Sequence, residues 1–212
     1  GHQDYVTSAV FSVDGQQVLT ASFDRTAKIW AADSGECLRT LVGHPGCVTS
    51  AVFSADGQRA LTASRDKTAK VWAAGSGECL RTLEDHRNWV TSAAFSADGQ
   101  LALTTSLDRM AKVWDTDSGE CLRTLDGHQD CVLSAEFSAD GQNAVTASDD
   151  RTAKVWAADS WECLRTLESG GRVTSAVFSG DGQRVLTAAQ DRTAKIWAAD
   201  SGECLRTLEG HE

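Results

Sequence analysis

The heptapeptide Asp24 to Trp30, DRTAKIW, returns four more times along the chain. The copies are DKTAKVW ending at Trp72, DRMAKVW at Trp114, DRTAKVW at Trp156 and DRTAKIW at Trp197. Those tryptophans are spaced by 42 residues, shortened once to 41, and a fixed period of this size is the mark of a repeat architecture. The 212 residues then divide into units of about 1–42, 43–84, 85–126, 127–168 and 169–209, with 210–212 opening a further one. No unit of that length builds a core alone, so each has to bury its apolar face against the next.

Inside a unit the pattern is that of short strands. A run such as Cys47 to Ser54, CVTSAVFS, carries the β-branched and aromatic side chains that suit a pleated surface. It stops at Asp56-Gly57, and the same pair recurs at 14–15, 98–99, 140–141 and 181–182, where glycine supplies the positive φ of a hairpin. A second strand follows (Ala60 to Ser64), then a tight turn holding Asp66, a third strand ending at Trp72, a GSGE break and a fourth strand from Cys79 to Leu83. Four antiparallel strands with tight turns make a twisted sheet the size of a propeller blade. Helical periodicity is absent throughout.

Charge and cysteine usage exclude several classes. The formal net charge is −10 with no basic stretch, which opposes phosphate-backbone binding, so nucleic acid is not an expected partner. No apolar run approaches the roughly 20 residues that span a bilayer, so no membrane is expected either. The opening GHQDYV has neither the basic nor the apolar region of a signal peptide, and the single methionine is Met110. A cytoplasmic segment of a longer array is the expectation. Of seven cysteines, Cys37, Cys79, Cys121, Cys163 and Cys204 are one repeat position copied five times, and no CxxC pair occurs. They read as reduced thiols, with no metal or cofactor site. Cys47 and Cys131 fall in units two and four, too far apart for a disulfide.

The units resemble WD repeats over the whole chain. The resemblance is carried by Gly-His at 1–2, 43–44 and 127–128, by the aspartate six residues before each tryptophan, and by the period itself. It implies an all-β fold, a β-propeller of five four-stranded antiparallel blades, each contiguous in sequence and without strand-exchange closure. The function it implies is a non-catalytic scaffold for protein–protein interaction. The alternatives are a small-ligand or peptide sensor module of a larger signalling protein, or a segment that completes its ring by self-association. The departures are Trp-Ala for Trp-Asp everywhere but Trp114-Asp115, Asp85-His86 for Gly-His, and Ser169-Gly170-Gly171 with no histidine, which makes blade five the expected loosest. A closed ring, turning about 72° per blade, is the expected arrangement. An open arc pairing with a second copy and a fragment completed by further blades compete with it, so monomer or homo-oligomer stays open.

Each of the first four units also holds the residue types of a nucleophilic triad: His2, His44, His86 and His128; Asp24, Asp66, Asp108 and Asp150; and Ser22, Ser64, Ser106 and Ser148. A hydrolase needs one such constellation beside a cleft, not a copy in every repeat. The resemblance instead assigns these histidines and aspartates, with Trp30, Trp72, Trp114, Trp156, Asp191 and Trp197, to a buried network that holds the blade. The hydroxyl that joins it is either the serine or the threonine ten residues before each tryptophan (Thr20, Thr62, Thr104, Thr146, Thr187).

Five internal copies also show which positions differ between units. One is the residue before the first-strand valine: Tyr5, Cys47, Trp89, Cys131 and Arg172. The other precedes the turn aspartate: Phe23, Arg65, Leu107, Asp149 and Gln190. Both belong to turns at one end of the sheet, so they would encircle one mouth of a propeller. Tyr5, Phe23, Arg65, Trp89, Leu107, Asp149, Arg172 and Gln190 are the candidate contacts for a protein or peptide partner. Trp161, in place of the glycine found at 35, 77, 119 and 202, is expected exposed at the opposite mouth.

Overall fold

The computed structural model describes residues 1–210. Gly210 is therefore the only residue of the expected further unit inside the described region. Twenty strands form five four-stranded antiparallel sheets, each a consecutive meander. Sheet one is β1 (Val6–Phe11), β2 (Gln17–Ser22), β3 (Thr26–Ala31) and β4 (Cys37–Val42). Sheet two is β5 (Val48–Phe53), β6 (Arg59–Ser64), β7 (Thr68–Ala73) and β8 (Cys79–Glu84). Sheet three is β9 (Val90–Phe95), β10 (Leu101–Ser106), β11 (Ala111–Asp115) and β12 (Cys121–Leu125). Sheet four is β13 (Val132–Phe137), β14 (Asn143–Ser148), β15 (Thr152–Ala157) and β16 (Cys163–Glu168). Sheet five is β17 (Val173–Phe178), β18 (Arg184–Ala189), β19 (Ala194–Ala198) and β20 (Cys204–Leu208). The first strand of each sheet lies against the first strand of the next, so these strands line the inner side.

Two local devices recur. The Asp-Gly hairpin glycines sit at φ 68 to 70°, a region open to glycine at little cost. At the start of the first strand the pairing slips by one residue, between Val6 and Ser8 in sheet one and between Val48 and Ser50 in sheet two. The bulged threonine turns its hydroxyl outward to the next sheet: Thr7 Oγ1 donates to Val48 O at 2.8 Å, Thr49 to Val90 O at 2.7 Å and Thr91 to Val132 O at 2.7 Å.

The core is four seams, one between each pair of neighbouring sheets. In the first, Leu19, Ala21, Ala27, Ile29 and Leu41 of sheet one meet Val48, Ala51, Ala60 and Trp72 of sheet two. The equivalent positions meet in the second and fourth seams, and the third keeps most of them while adding Phe137. Small alanines alternating with leucine, valine and one tryptophan let the faces interdigitate at interior density.

The sheets do not close, which corrects the expected five-blade ring. Val6 is 53% exposed where Val48, Val90, Val132 and Val173 are 0%, and Phe11 is 70% exposed. At the other end Leu186 and Leu208 are 41% and 44% exposed, where Leu61 and Leu83 are 0%. Every core cluster among the described residues joins consecutive sheets, and none joins sheet five to sheet one. Five-fold closure demands a turn of roughly 72° per blade and a fifth seam between sheets five and one, and that seam is not formed. The fold is therefore a propeller arc ending in two bare half-seams of opposite kind.

Candidate interaction face

Within a sheet, the second-to-third-strand turn is fixed from beneath by a relay of buried hydrogen bonds. In sheet two, His44 Nδ1 donates to Asp66 Oδ2 at 2.6 Å, because a carboxylate can only accept. The other ring nitrogen, Nε2, then accepts from Thr62 Oγ1 at 2.7 Å, and Thr62 in turn accepts from Trp72 Nε1 at 2.8 Å. The same relay runs through His2, Thr20 and Trp30, through His86, Thr104 and Trp114, and through His128, Thr146 and Trp156. The relay hydroxyl is thus the threonine. Ser22, Ser106 and Ser148 instead donate to the backbone carbonyls of Asp4, Asn88 and Asp130, while their oxygens accept the turn aspartate's N–H.

Sheet five departs from this. Ser169 stands at the histidine position, too short to bridge, and its buried Oγ has no partner. Trp197 Nε1 still donates to Thr187 Oγ1 at 2.9 Å, and Asp191 is held by Thr193 Oγ1 at 2.7 Å. A glycine is required two residues after Ser169, since a Cβ on Gly171 would lie 2.7 Å from the backbone nitrogen of Asp191.

The relay controls the charge of the turn. Burial alone would raise the Asp66 and Asp108 carboxyls, but hydrogen bonds, led by those from His44 and His86, outweigh it and bring both down to about 2. Burial holds the His128 imidazole below its usual value, against the opposing pull of Asp150. The aspartate also fixes the backbone: Asp66 Oδ1 accepts from Thr68 N and Thr68 Oγ1, which carries Lys67 through φ 74°. Arg25, Arg109, Arg151 and Arg192 take the same left-handed conformation at φ 67 to 75°, a strained one for residues with a Cβ.

Above this support lie the two positions at which the repeats differ. In every sheet they are joined by a backbone hydrogen bond: Phe23 N to Tyr5 O at 2.9 Å, Arg65 N to Cys47 O at 2.9 Å, Leu107 N to Trp89 O at 3.0 Å, Asp149 N to Cys131 O at 2.9 Å and Gln190 N to Arg172 O at 2.8 Å. The side chains then touch from sheet to sheet. Tyr5 meets Phe23 edge-on at 6.4 Å between centroids, and the Arg65 guanidinium lies 4.4 Å from the ring centres of both Phe23 and Trp89. Further along, Cys131 Sγ reaches Leu107 O at 3.7 Å, and Arg172 Nη1 approaches Asp149 Oδ2 at 3.8 Å. The structure thus brings Tyr5, Phe23, Arg65 and Trp89 into one aromatic and cationic cluster, while Asp149 and Arg172 pair separately. Gln190 completes the row in sheet five.

Asp130 adjoins this row without being one of the positions at which unlikeness between repeats points to binding. It lies exposed beside the partly buried Cys131 and Asp149, with the three ligand atoms within 4.8 Å of one another. Burial first, then the hydrogen bond and charge of Asp130, push the Cys131 thiol up. All seven cysteines are free, with Cys37, Cys79, Cys163 and Cys204 exposed on the outer strands. No helix is long and apolar enough to cross a membrane among the described residues.

Trp161 corrects an expectation. It is half-buried, edge-on to Phe137 at 6.2 Å, and packs on the seam between sheets three and four. Its φ of 62° matches the glycines at the equivalent turns, so the packing sustains a backbone conformation that a side chain disfavours.

The family model described as WD domain, G-beta repeat, matches residues 1–31, 35–73, 77–115, 119–157 and 161–198. Each match after the first takes the last strand of one sheet together with three strands of the next. One stretch of 43 residues is 44% identical to F-box/WD repeat-containing protein 7 of Drosophila melanogaster, covering 20% of this chain and 3% of that protein. The chain therefore aligns with only a small part of the length of that relative. With five consecutive matches spanning most of its residues, this chain belongs to the WD-repeat family.

Proposed function

We propose that the chain is a non-catalytic protein-interaction module that holds a protein or peptide partner across the turn face formed by Tyr5, Phe23, Arg65, Trp89, Leu107, Asp149, Arg172 and Gln190. One observation carries this reading. The positions that the repeats leave unlike are paired in all five sheets, and on sheets one to three they merge into a single cluster of aromatic rings around an arginine. Aromatic and arginine side chains on a rigid support are the usual anchors of an interface. Among the described residues, His2, His44, His86 and His128 and their aspartates are occupied in holding the turns rather than facing a cleft as a catalytic set. Seven free thiols and an acidic surface fit a reducing compartment and a partner other than nucleic acid.

The test is capture on the immobilised chain. The double variant Trp89→Ala/Arg65→Gln, with an unchanged far-ultraviolet dichroism spectrum, is expected to lose proteins that the parent chain retains. Retention of the same set by the variant would sink the reading.

The bare half-seams favour a second reading, association between chains. Thr174, the residue equivalent to the seam donors Thr7 and Thr49, turns back to Ala188 O at 3.2 Å, and Val6, which begins the matching strand at the other end, is exposed. Head-to-tail contact predicts a mass above 22.6 kDa by light scattering. Val6→Glu and Leu186→Glu chains would each be monomeric alone and form a one-to-one pair when mixed. A monomer under all conditions would dismiss this reading.

A further inference from the structure

Among the described residues, the arginines and lysines that form ion pairs are Arg59 with Asp117, Lys112 with Asp85, Arg172 with Asp149 and Arg184 with Asp181. Arg65 has no such partner, although the chain carries 30 acidic residues against 20 basic ones. Its guanidinium is stacked between Phe23 and Trp89, and its Nε is buried without a hydrogen bond. A side chain that forgoes both water at Nε and a counter-ion, yet is held flat by two rings, is preorganised for a planar acceptor.

We propose that Arg65 anchors a single aspartate or glutamate side chain of an extended peptide segment in a protein partner, with an apolar residue of that segment packing on Tyr5, Phe23 or Trp89. The proposal rests on the interaction face described above and specifies what that face recognises. A carboxylate matches the fork of the guanidinium in plane and charge, and the ring walls exclude water from the pair. The field of the whole chain limits the ligand to one acidic residue in an otherwise neutral or basic segment. A run of acidic residues would meet the net charge of −10 and, further along the face, Asp130 and Asp149. A phosphate, with up to two charges, calls for several converging cations. Arg65 is one, and Arg172 is drawn to Asp149.

The probe is a phage-displayed library of random 12-residue peptides panned on the 212-residue chain. The expected consensus has one Asp or Glu beside an apolar or aromatic residue. The synthetic consensus peptide should bind on the order of tenfold or more weakly to Arg65→Gln and to an intermediate degree to Arg65→Lys, since a charge-assisted bidentate pair is replaced by a point charge or nothing. Peptides that lose affinity for Trp89→Ala but lack an acidic residue and ignore Arg65→Gln would overturn the proposal and leave the interaction face standing. Peptides indifferent to both substitutions, or no enrichment at all, would count against both. The consensus peptide is also made with Gln and with phosphoserine at the acidic position. Equal binding of the Glu and Gln forms with tight binding of phosphoserine alone would assign the site to phosphate and reject the carboxylate.

Discussion

Sheets four and five carry nearly the same heptapeptide, DRTAKVW and DRTAKIW, and the same strand order, but they differ in two physical respects. Sheet four has a histidine in its relay and a neighbour on each face. Sheet five has Ser169 in place of the histidine, and its outer face is bare. Backbone pairing is nevertheless the same in both, with the slip at the start of the first strand and again at the tryptophan. Local sequence therefore determines the strand geometry, whereas the free energy of a given side chain depends on whether a second sheet arrives to cover it.

The largest expected difference is in the seam. Leu167→Ala should destabilise the chain by about 2–5 kcal/mol, as a buried leucine does when it leaves a cavity, and Leu208→Ala by about 0.5 kcal/mol or less. Urea denaturation of the two variants measures this. Equal losses would mean that the end face is covered in solution.

Next comes the relay. His128→Ala should cost about 1–3 kcal/mol, because Asp150 and Thr146 lose a buried partner, whereas Ser169→His should return about 1 kcal/mol to sheet five by bridging Asp191 and Thr187. If Ser169→His leaves the thermal midpoint unchanged, the relay is not what separates the two sheets.

Acid titration sharpens the same contrast. His128 has a folded-state pKa below its unfolded value of 6.5, so the unfolded chain binds the extra proton. Its contribution is complete above pH 6.5 and is lost as pH falls through the lowered folded value, a slope that His128→Gln should flatten. Asp66 and Asp108, lowered from 3.8 to about 2, contribute above pH 4 and are lost between about pH 4 and 2. Asp66→Asn should shrink that second step.

The smallest expected effect is at the turn. Arg192→Gly relieves a side chain at φ 67° and should stabilise sheet five by about 0.5 kcal/mol, the relief being partly offset by the backbone entropy of glycine. Differential scanning calorimetry against the parent chain would detect it as a small rise in midpoint.

Much of the fold is legible in the sequence because each signal is given five times. Asp56-Gly57 marks a hairpin, CVTSAVFS a strand, and four such strands with tight turns a meander. Closure is not legible, since it depends on the angle at each seam, which side-chain volumes on both sheets set jointly. The relay hydroxyl is ambiguous because Ser64 and Thr62 are two residues apart on one strand and share its face; only the bulge and the position of the indole separate them. Trp161 looks like a surface residue because its position is a turn glycine in the other units, and the proximity of Phe137 is a tertiary fact. At the proposed interaction face, unlikeness between repeats picks out Phe23, Arg65 and Trp89. That Arg65 lies between rings from two other sheets follows from the seam angle, which no single repeat encodes.

The four seams are built from closely similar positions, and this bears on how such a chain can change in length. Adding or removing one 42-residue unit shifts the count of seams by one and disturbs none of the others, so stability should step with unit number rather than require compensating substitutions. Unequal crossing-over between near-identical repeats would then be tolerated at almost any point.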